Sequence, residues 1–309
     1  MKRKWIRRVS WILLTPVLLF VILMILLYIP PVQNLLRREV TAYASKATGM
    51  QIQVERIDLR FPLNLLVRGV EVIQQPDTLL SLESLNVRVQ AWPLVKGKVE
   101  VDEVTLSQVA FNSANLIEGM KIKGVLGRFF LQSHGVDLSN ELAVINQTEL
   151  SDTHVQMLMN DTTTTPKDTT ASAPVNWKVD LHKLKLKNVS FSMQLPADSM
   201  RMAAHIGEAF INDAQADLKN QFYELKQFLL SGSSANYDTG AAKPGEGFDA
   251  SHIAVRDIRI GLDSLLYKGR DMNAVIREFS MNERSGLSIT SLTGRAFSND
   301  SIIRIPGIK

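Results

Sequence analysis

Beyond Met50 the chain alternates apolar and polar residues. Ile52, Val54, Ile57, Leu59 and Phe61 come first, then Val67, Val70 and Val72, then Leu85, Val87 and Val89. Runs of period two bounded by Pro, Gly, Asn or Asp predict half-buried β-strands. Later stretches behave alike, among them 177–186, 222–230 and 287–292. Each strand has one greasy and one wet face, as in antiparallel sheet. Ahead of the strands, residues 32–48 carry Val32, Leu35, Leu36, Val40 and Tyr43 at helical spacing, with Gly49 as a stop. That pattern predicts a short amphipathic helix.

Residues 11–29 (WILLTPVLLFVILMILLYI) hold no charge. As a helix they would be about 28 Å long, against a bilayer core of about 30 Å. The expectation is a transmembrane helix anchored by Trp11, Leu14, Leu18, Phe20, Leu23, Leu26 and Tyr28. The basic flank at 1–10 (Lys2, Arg3, Lys4, Arg7 and Arg8) would keep the N-terminus in the cytoplasm. A cleaved secretory signal has a shorter apolar region with a small-x-small site directly after it. Here Pro30 and Pro31 follow, and Ala42-Tyr43-Ala44 lies well downstream.

Two polar stretches divide the rest. Residues 160–176 (NDTTTTPKDTTASAPVN) form a Thr-rich linker or loop, between a first β region at 50–159 and a second at 177–309. By the same reasoning 231–247 (SGSSANYDTGAAKPGEG) is expected to be a flexible loop in the second region.

One eight-residue pattern recurs: VTLSQVAF at 104–111, LKLKNVSF at 184–191 and IAVRDIRI at 253–260 all read apolar-x-apolar-x-x-apolar-x-apolar. Two polar residues in an otherwise strict alternation reverse the face of later apolar residues, unless a β-bulge or tight corner restores it. Repeated bulges imply repeated curvature. Chance likeness among Val- and Ile-rich strands is the competing explanation of the repeat. A second sheet covering the greasy face would make an ordinary sandwich or barrel. Low aromatic content and a lining of small aliphatics favour instead one long curved sheet with an open apolar groove. The groove-lining candidates are Val87, Val89, Val104, Leu106, Val109, Phe111, Leu184, Leu186, Val189, Phe191, Ile253, Val255, Ile258 and Ile260.

Charge and chemistry narrow the function. The formal charge is +4, but five cations sit in the first ten residues, so the remainder is close to neutral and nucleic acid is not an expected partner. The chain has no cysteine, which excludes disulfides, thiol catalysis and thiolate metal sites. His134, His154, His182, His205 and His252 are scattered, without metal-ligand spacing. Asp257, Asp263 and Asp271 do not follow an EF-hand pattern. No phosphate-binding or nucleophile motif occurs, so no catalytic residue and no cofactor is expected.

The order of basic flank, apolar run and amphipathic helix, followed by KATGMQIQVERIDLRFPLNLLVRGVEV at 46–72, resembles the opening of the AsmA-like superfamily. It is most similar there to the TamB translocation and assembly module family. Val67-Arg68-Gly69-Val70-Glu71-Val72 matches that opening's glycine-containing strand, and residues 248–297 resemble a recurring unit of the large members. The resemblance implies a fold that is mainly β, with an N-terminal transmembrane helix, a short amphipathic helix and an extended curved antiparallel-type sheet forming a groove of the taco type. It implies a single-pass inner-membrane protein with its bulk in the periplasm, moving phospholipid toward the outer membrane. The alternative it implies is a scaffold in assembling outer-membrane β-barrel proteins. Partners would be membrane phospholipid and either a BamA/TamA-like barrel or a remaining C-terminal chain. Family members are several times longer, so the expectation is an N-terminal part of a longer protein, or one that works end to end through its open sheet edge.

Overall fold

The alternating runs become strands, and all of them join one sheet. The computed structural model describes residues 28–60, 63–90, 93, 100–137, 140–160, 176–240, 243–299 and 301–306. The first six strands are β1 (Gln51–Arg60), β2 (Asn64–Gln74), β3 (Asp77–Val89), β4 (Val101–Asn112), β5 (Met120–Asp137) and β6 (Leu142–Met159). They are followed by β7 (Lys178–Leu195), β8 (Met200–Asp217), β9 (Phe222–Asp238), β10 (His252–Lys268) and β11 (Asp271–Glu283). Short β12 (Ser288–Ile289), β13 (Gly294–Ser298) and β14 (Ile303–Arg304) complete it. The strands lie side by side in chain order, with only β12 off the path as a second partner of β11. The two expected β regions are therefore one sheet.

The join between them corrects the antiparallel-type expectation. β6 and β7 run parallel, Leu150 beside Leu186 and Val155 beside Phe191; the expected Thr-rich linker between them, 160–176, lies outside the described residues apart from Asn160 and Asn176. Part of the expected loop at 231–247 is also strand, since β9 runs on to Asp238. Its Gly and Ser residues are places where the strand bends.

The anchor expectation is corrected as well. Among the described residues no helix is long and apolar enough to cross a membrane. The helix there, α1 (Pro30–Thr48), starts at Pro30 and carries Arg37, Arg38, Glu39 and Lys46. Residues 11–27, with Trp11, Leu14, Leu18, Phe20, Leu23 and Leu26, lie outside the described residues, as do Lys2, Arg3, Lys4, Arg7 and Arg8, while Tyr28 sits in the turn before α1. A spanning helix is thus no part of the described fold, and the single-pass inner-membrane location that rested on it is withdrawn.

α1 is amphipathic, as expected, but it turns its polar side to the sheet. Gln33 Nε2 donates to the Leu59 carbonyl (3.1 Å), and Arg37 Nη1 donates to the carbonyls of Val54 and Glu55 (3.1 Å each). The Ile52 N–H donates to Ser45 Oγ at 3.0 Å. These bonds occupy the free edge of β1, which would otherwise invite another strand. Leu36, Val40 and Tyr43 point away, at 38, 52 and 77% exposure. The helix ends at Gly49, whose φ of 70° lets its N–H reach the Ser45 carbonyl.

The sheet bends along lines that cross the strands. Gly69, Gln108, Asp152, Asn188, Gly232 and Asp257 all have φ between 50° and 59°; the first five fall on one line of register, and Asp257 lies about two residues off it in β10. Leu82 pairs with Val109 and Ser84 with Ser107, the Gln108 position falling between them; Leu126 pairs with Thr153 and Arg128 with Ser151, with Asp152 between. A left-handed residue at the second polar position of the step turns the chain, and the next side chain comes back to the original face. Neighbouring strands crowd against each other on this line. A Cβ on Gly207 would lie 2.5 Å from the Gly232 carbonyl oxygen.

These geometries predict the outcome of three substitutions, measured by denaturant unfolding. Gln108→Gly should be neutral or stabilise by up to about 1 kcal/mol, because it removes left-handed strain, while Gln108→Val should cost about 1–2 kcal/mol. Gly207→Ala should cost about 1–3 kcal/mol by forcing two strands apart.

Candidate functional site

The bend gathers the apolar residues of every strand on one side. Ile57, Val67, Leu85, Leu106, Phe129, Leu150, Leu186, Ala209, Leu230, Ile260 and Phe279 are paired strand to strand in an unbroken row from β1 to β11. The next row outward runs from Leu59 through Val87, Val104, Leu184 and Phe228 to Ile276, interrupted only by Thr148. Across the bend, Val54, Val70, Leu82, Val109, Leu126, Thr153, Val189 and Ile206 form a third row. Directly paired residues share a face of the sheet, so the first row is a continuous apolar strip and the other two are broken only by Thr148 and Thr153. At about 4.8 Å per strand the eleven-strand row is about 50 Å long.

Burial identifies the concave side. Leu82 (7% exposed), Thr153 (7%), Ala209 (5%) and Ser233 (3%) flank the bend on the apolar face, at the bottom of the trough. The polar residues of the step, such as Lys187 with Asn188, Ser231 with Gly232 and Arg256 with Asp257, are exposed on the other side. The apolar face is therefore inside the fold line and the polar face outside it.

The longer strands carry a second bend, which the sequence pattern also marks with two polar residues. His182 and Lys183 separate Leu181 from Leu184, Lys226 and Gln227 separate Leu225 from Phe228, and Arg277 and Glu278 separate Ile276 from Phe279. Asp213, with φ of 48°, stands at this position in β8. Ser133 (4% exposed) and Ala274 (8%) line its inner side. The trough thus has one bend in short β1–β4 and a second where the strands lengthen.

Polar side chains staple the strands along both bends on the convex side. Asn188 Nδ2 donates to Asp152 Oδ1 (2.8 Å) and Asn282 Nδ2 to Asp257 Oδ2 (3.1 Å) along the first. Asn212 Nδ2 donates to Gln227 Oε1 (2.7 Å) and Arg277 Nη1 to Asp263 Oδ1 (3.0 Å) along the second, where His182 Nδ1 lies 3.2 Å from Asp213 Oδ1. These polar partners lie on the convex face; the concave face holds the apolar rows, with Thr148, Thr153, Ser133 and Ser233 among them.

No other layer covers the concave face among the described residues. Substantial contacts between elements run only between hydrogen-bonded neighbours in the sheet and between α1 and β1. None of the large side chains described is fully buried, and Phe191 and Met202 on this face are each 38% exposed. A sandwich or barrel would have sealed them.

All fourteen lining candidates lie on this concave face: Val87, Val89, Val104, Leu106, Val109 and Phe111 from β3 and β4; Leu184, Leu186, Val189 and Phe191 from β7; and Ile253, Val255, Ile258 and Ile260 from β10. Sequence reasoning did not find the second bend, although its double polar step is the same signal. It also did not single out the partners from β5, β6, β8 and β9 that make the rows continuous. Among the described residues no group of three or more His, Asp or Glu side chains is placed to hold a metal ion. Each histidine instead has a local polar partner, such as Ser190 Oγ for His205 (3.0 Å).

A polar network closes the rim of the trough at β10 and β11. Asp249 accepts from the N–H groups of Gly245 (3.2 Å) and Ser251 (2.9 Å) and faces His252 Nδ1 at 2.9 Å. Glu283 accepts from the N–H groups of Ser285 (2.6 Å) and Ala254 (3.2 Å), and Arg284 Nη2 donates to the His252 carbonyl at 2.9 Å. Hydrogen bonds from Gly245, Ser251 and His252 pull the Asp249 pKa down to about 2, and those from Ser285, ahead of the Ala254 N–H, do the same for Glu283.

Both carboxylates are more acidic in the fold than in the unfolded chain, so their contribution is complete above the ordinary values of 3.8 and 4.5 and is lost as pH falls toward about 2. The melting temperature should hold at neutral pH and drop across that window. An Asp249→Asn, Glu283→Gln double variant should melt lower at pH 7 and show a shallower acid decline in the same calorimetric series.

No protein-family model and no curated protein matches the chain; what the trough does has to come from its own geometry.

Proposed function

We propose that the trough carries the acyl tails of phospholipid, without catalysis, in transfer toward the outer membrane. The observation that carries this reading is the unbroken row from Ile57 to Phe279, apolar in all eleven strands and uncovered by any described part of the chain. At about 0.8 kcal/mol per buried CH₂, a tail of about sixteen carbons costs about 13 kcal/mol to bring into water. A continuous apolar strip replaces that barrier with a nearly level path, while the head group stays in solvent beyond the rim. Rows running along the sheet let a tail slide from strand to strand without leaving apolar contact. The resemblance of residues 46–72 and 248–297 to the TamB-like family supports the same use.

Photo-crosslinkers at Leu106, Leu186 and Val255, in the presence of phospholipid vesicles, test the assignment. Lipid adducts at all three positions are expected; adducts to protein only would favour a scaffold for barrel assembly. Leu186→Arg should abolish tail binding while lowering stability by less than about 2 kcal/mol, because Leu186 lines an open wall. A cost above about 4 kcal/mol in urea unfolding would mean a closed core instead.

A further inference from the structure

Six of the eleven methionines fall in one patch of the trough wall. Met120 pairs with Met159 across β5 and β6, Met157 with Met193 across β6 and β7, and Met193 with Met202 across β7 and β8. Met200, opposite Leu195, completes the set. They continue the concave face outward from Val155, Phe191 and Ala204, which are paired in the adjoining row. β5 begins at Met120, β6 ends at Met159 and β8 begins at Met200, so the patch is the rim itself. None of the six is buried, and Met202 is 38% exposed.

The same rim is built differently elsewhere: at β10 and β11 it ends in the His252 and Glu283 network. The rows nearer the bends hold Val, Leu, Ile and Phe with Ala209, Thr148 and Thr153, none of which peroxide oxidises. A thioether fits irregular tails through its flexible, polarizable chain, and it is also the side chain most readily oxidised on this wall.

We propose that this methionine rim is a modification site at which oxidation by a peroxide stops tail binding over β5–β8. The proposal rests on the trough reading given above. In the step, a sulfur lone pair attacks one peroxide oxygen, the O–O bond breaks and an S–O bond forms. The thioether is oxidised to the sulfoxide; the leaving oxygen takes the proton from the transferred one and departs as water. Each sulfoxide sets a strong acceptor into a wall whose neighbours are thioethers and aliphatics, with no donor to satisfy it when a tail covers it.

The full chain is treated with graded hydrogen peroxide, sulfoxides are located by peptide mass mapping, and binding of a pyrene-labelled phosphatidylcholine from vesicles is measured. Binding should weaken at least about tenfold as rim sulfoxides accumulate, since an unsatisfied buried polar group costs on that order. It should return after treatment with methionine sulfoxide reductases. A variant with all six rim methionines changed to Leu is compared with itself before and after peroxide: whatever its starting affinity, that ratio should stay near one, because the oxidisable sulfurs are gone. The double variant Met193→Leu, Met202→Leu provides the same contrast, to a smaller degree, with little change in packing volume. Unchanged binding by a rim-oxidised chain overturns the proposal, as does equal peroxide sensitivity in the Leu variants. A reduced chain that binds no lipid overturns the trough reading itself, and this proposal with it.

Discussion

A strand that bends must keep its side chains on the right face, and the whole trough depends on how this sheet meets that constraint. An alternating strand that simply continued past Lys187 and Asn188 would send Val189 and Phe191 to the side opposite Leu184 and Leu186. The left-handed residue at Asn188 turns the chain and restores the face, and Gln108, Asp152 and Asp257 do so in their own strands. Because Gln108, Asp152 and Asn188 fall on one line of register, and Asp257 lies only about two residues off it, the turns add up to a fold line instead of scattered kinks. Asn and Asp suit the position, since their short polar chains tolerate the left-handed region better than most. The bonds from Asn188 to Asp152 and from Asn282 to Asp257 then tie adjacent strands where the backbone ladder is interrupted.

Much of this was legible in the sequence, and the losses have physical causes. The double polar step in 104–111, 184–191 and 253–260 announced curvature, because no flat sheet tolerates a switch of face in every strand. Its depth was not legible, for concavity is decided by which side of the left-handed residue the chain turns to, and only burial of Leu82, Ala209 and Ser233 reveals it. The parallel pairing of β6 with β7 is a long-range choice that no local pattern encodes. Residues 231–238 looked like loop because Ser231-Gly232-Ser233-Ser234 lacks β-formers; in the sheet those small residues are what lets β8 and β9 approach at the bend. The methionine rim was hidden because a two-letter pattern treats Met as equal to Val. Its distinct chemistry shows only when register brings Met157, Met193 and Met202 together.

A single layer gives up the stabilisation of a sealed core, and the sheet makes good part of that loss sideways. Long antiparallel neighbours such as β7 and β8 pair over almost their entire length, from Lys178 opposite Asp217 to Leu195 opposite Met200. Cross-strand pairs on both faces contribute roughly 0.2–1 kcal/mol each. The convex polar seams add directional bonds at the weakest points of the ladder. The first edge is also protected: α1 gives up burial of Leu36, Val40 and Tyr43 so that Gln33, Arg37 and Ser45 can satisfy the backbone of β1.

An uncovered apolar surface of this length is ordinarily an aggregation hazard, and curvature changes which partners can reach it. A flat apolar surface meets another flat surface easily. Here the apolar rows lie inside a fold line, while the outside mixes Lys187, Arg256 and Asp257 with apolar side chains such as Val125, Phe130, Phe210 and Leu229, so one copy's outer face offers no continuous row to match another copy's interior. Two interiors can meet only across their rims, leaving the deepest rows, around Leu82, Ala209 and Ile260, out of mutual reach. A narrow flexible chain has no such difficulty. On the reading proposed above, it lies along the rows and touches both walls while its bulky polar end stays outside. On that same reading, the device that creates the curvature also leaves the floor of the trough to a chain narrow enough to follow the rows.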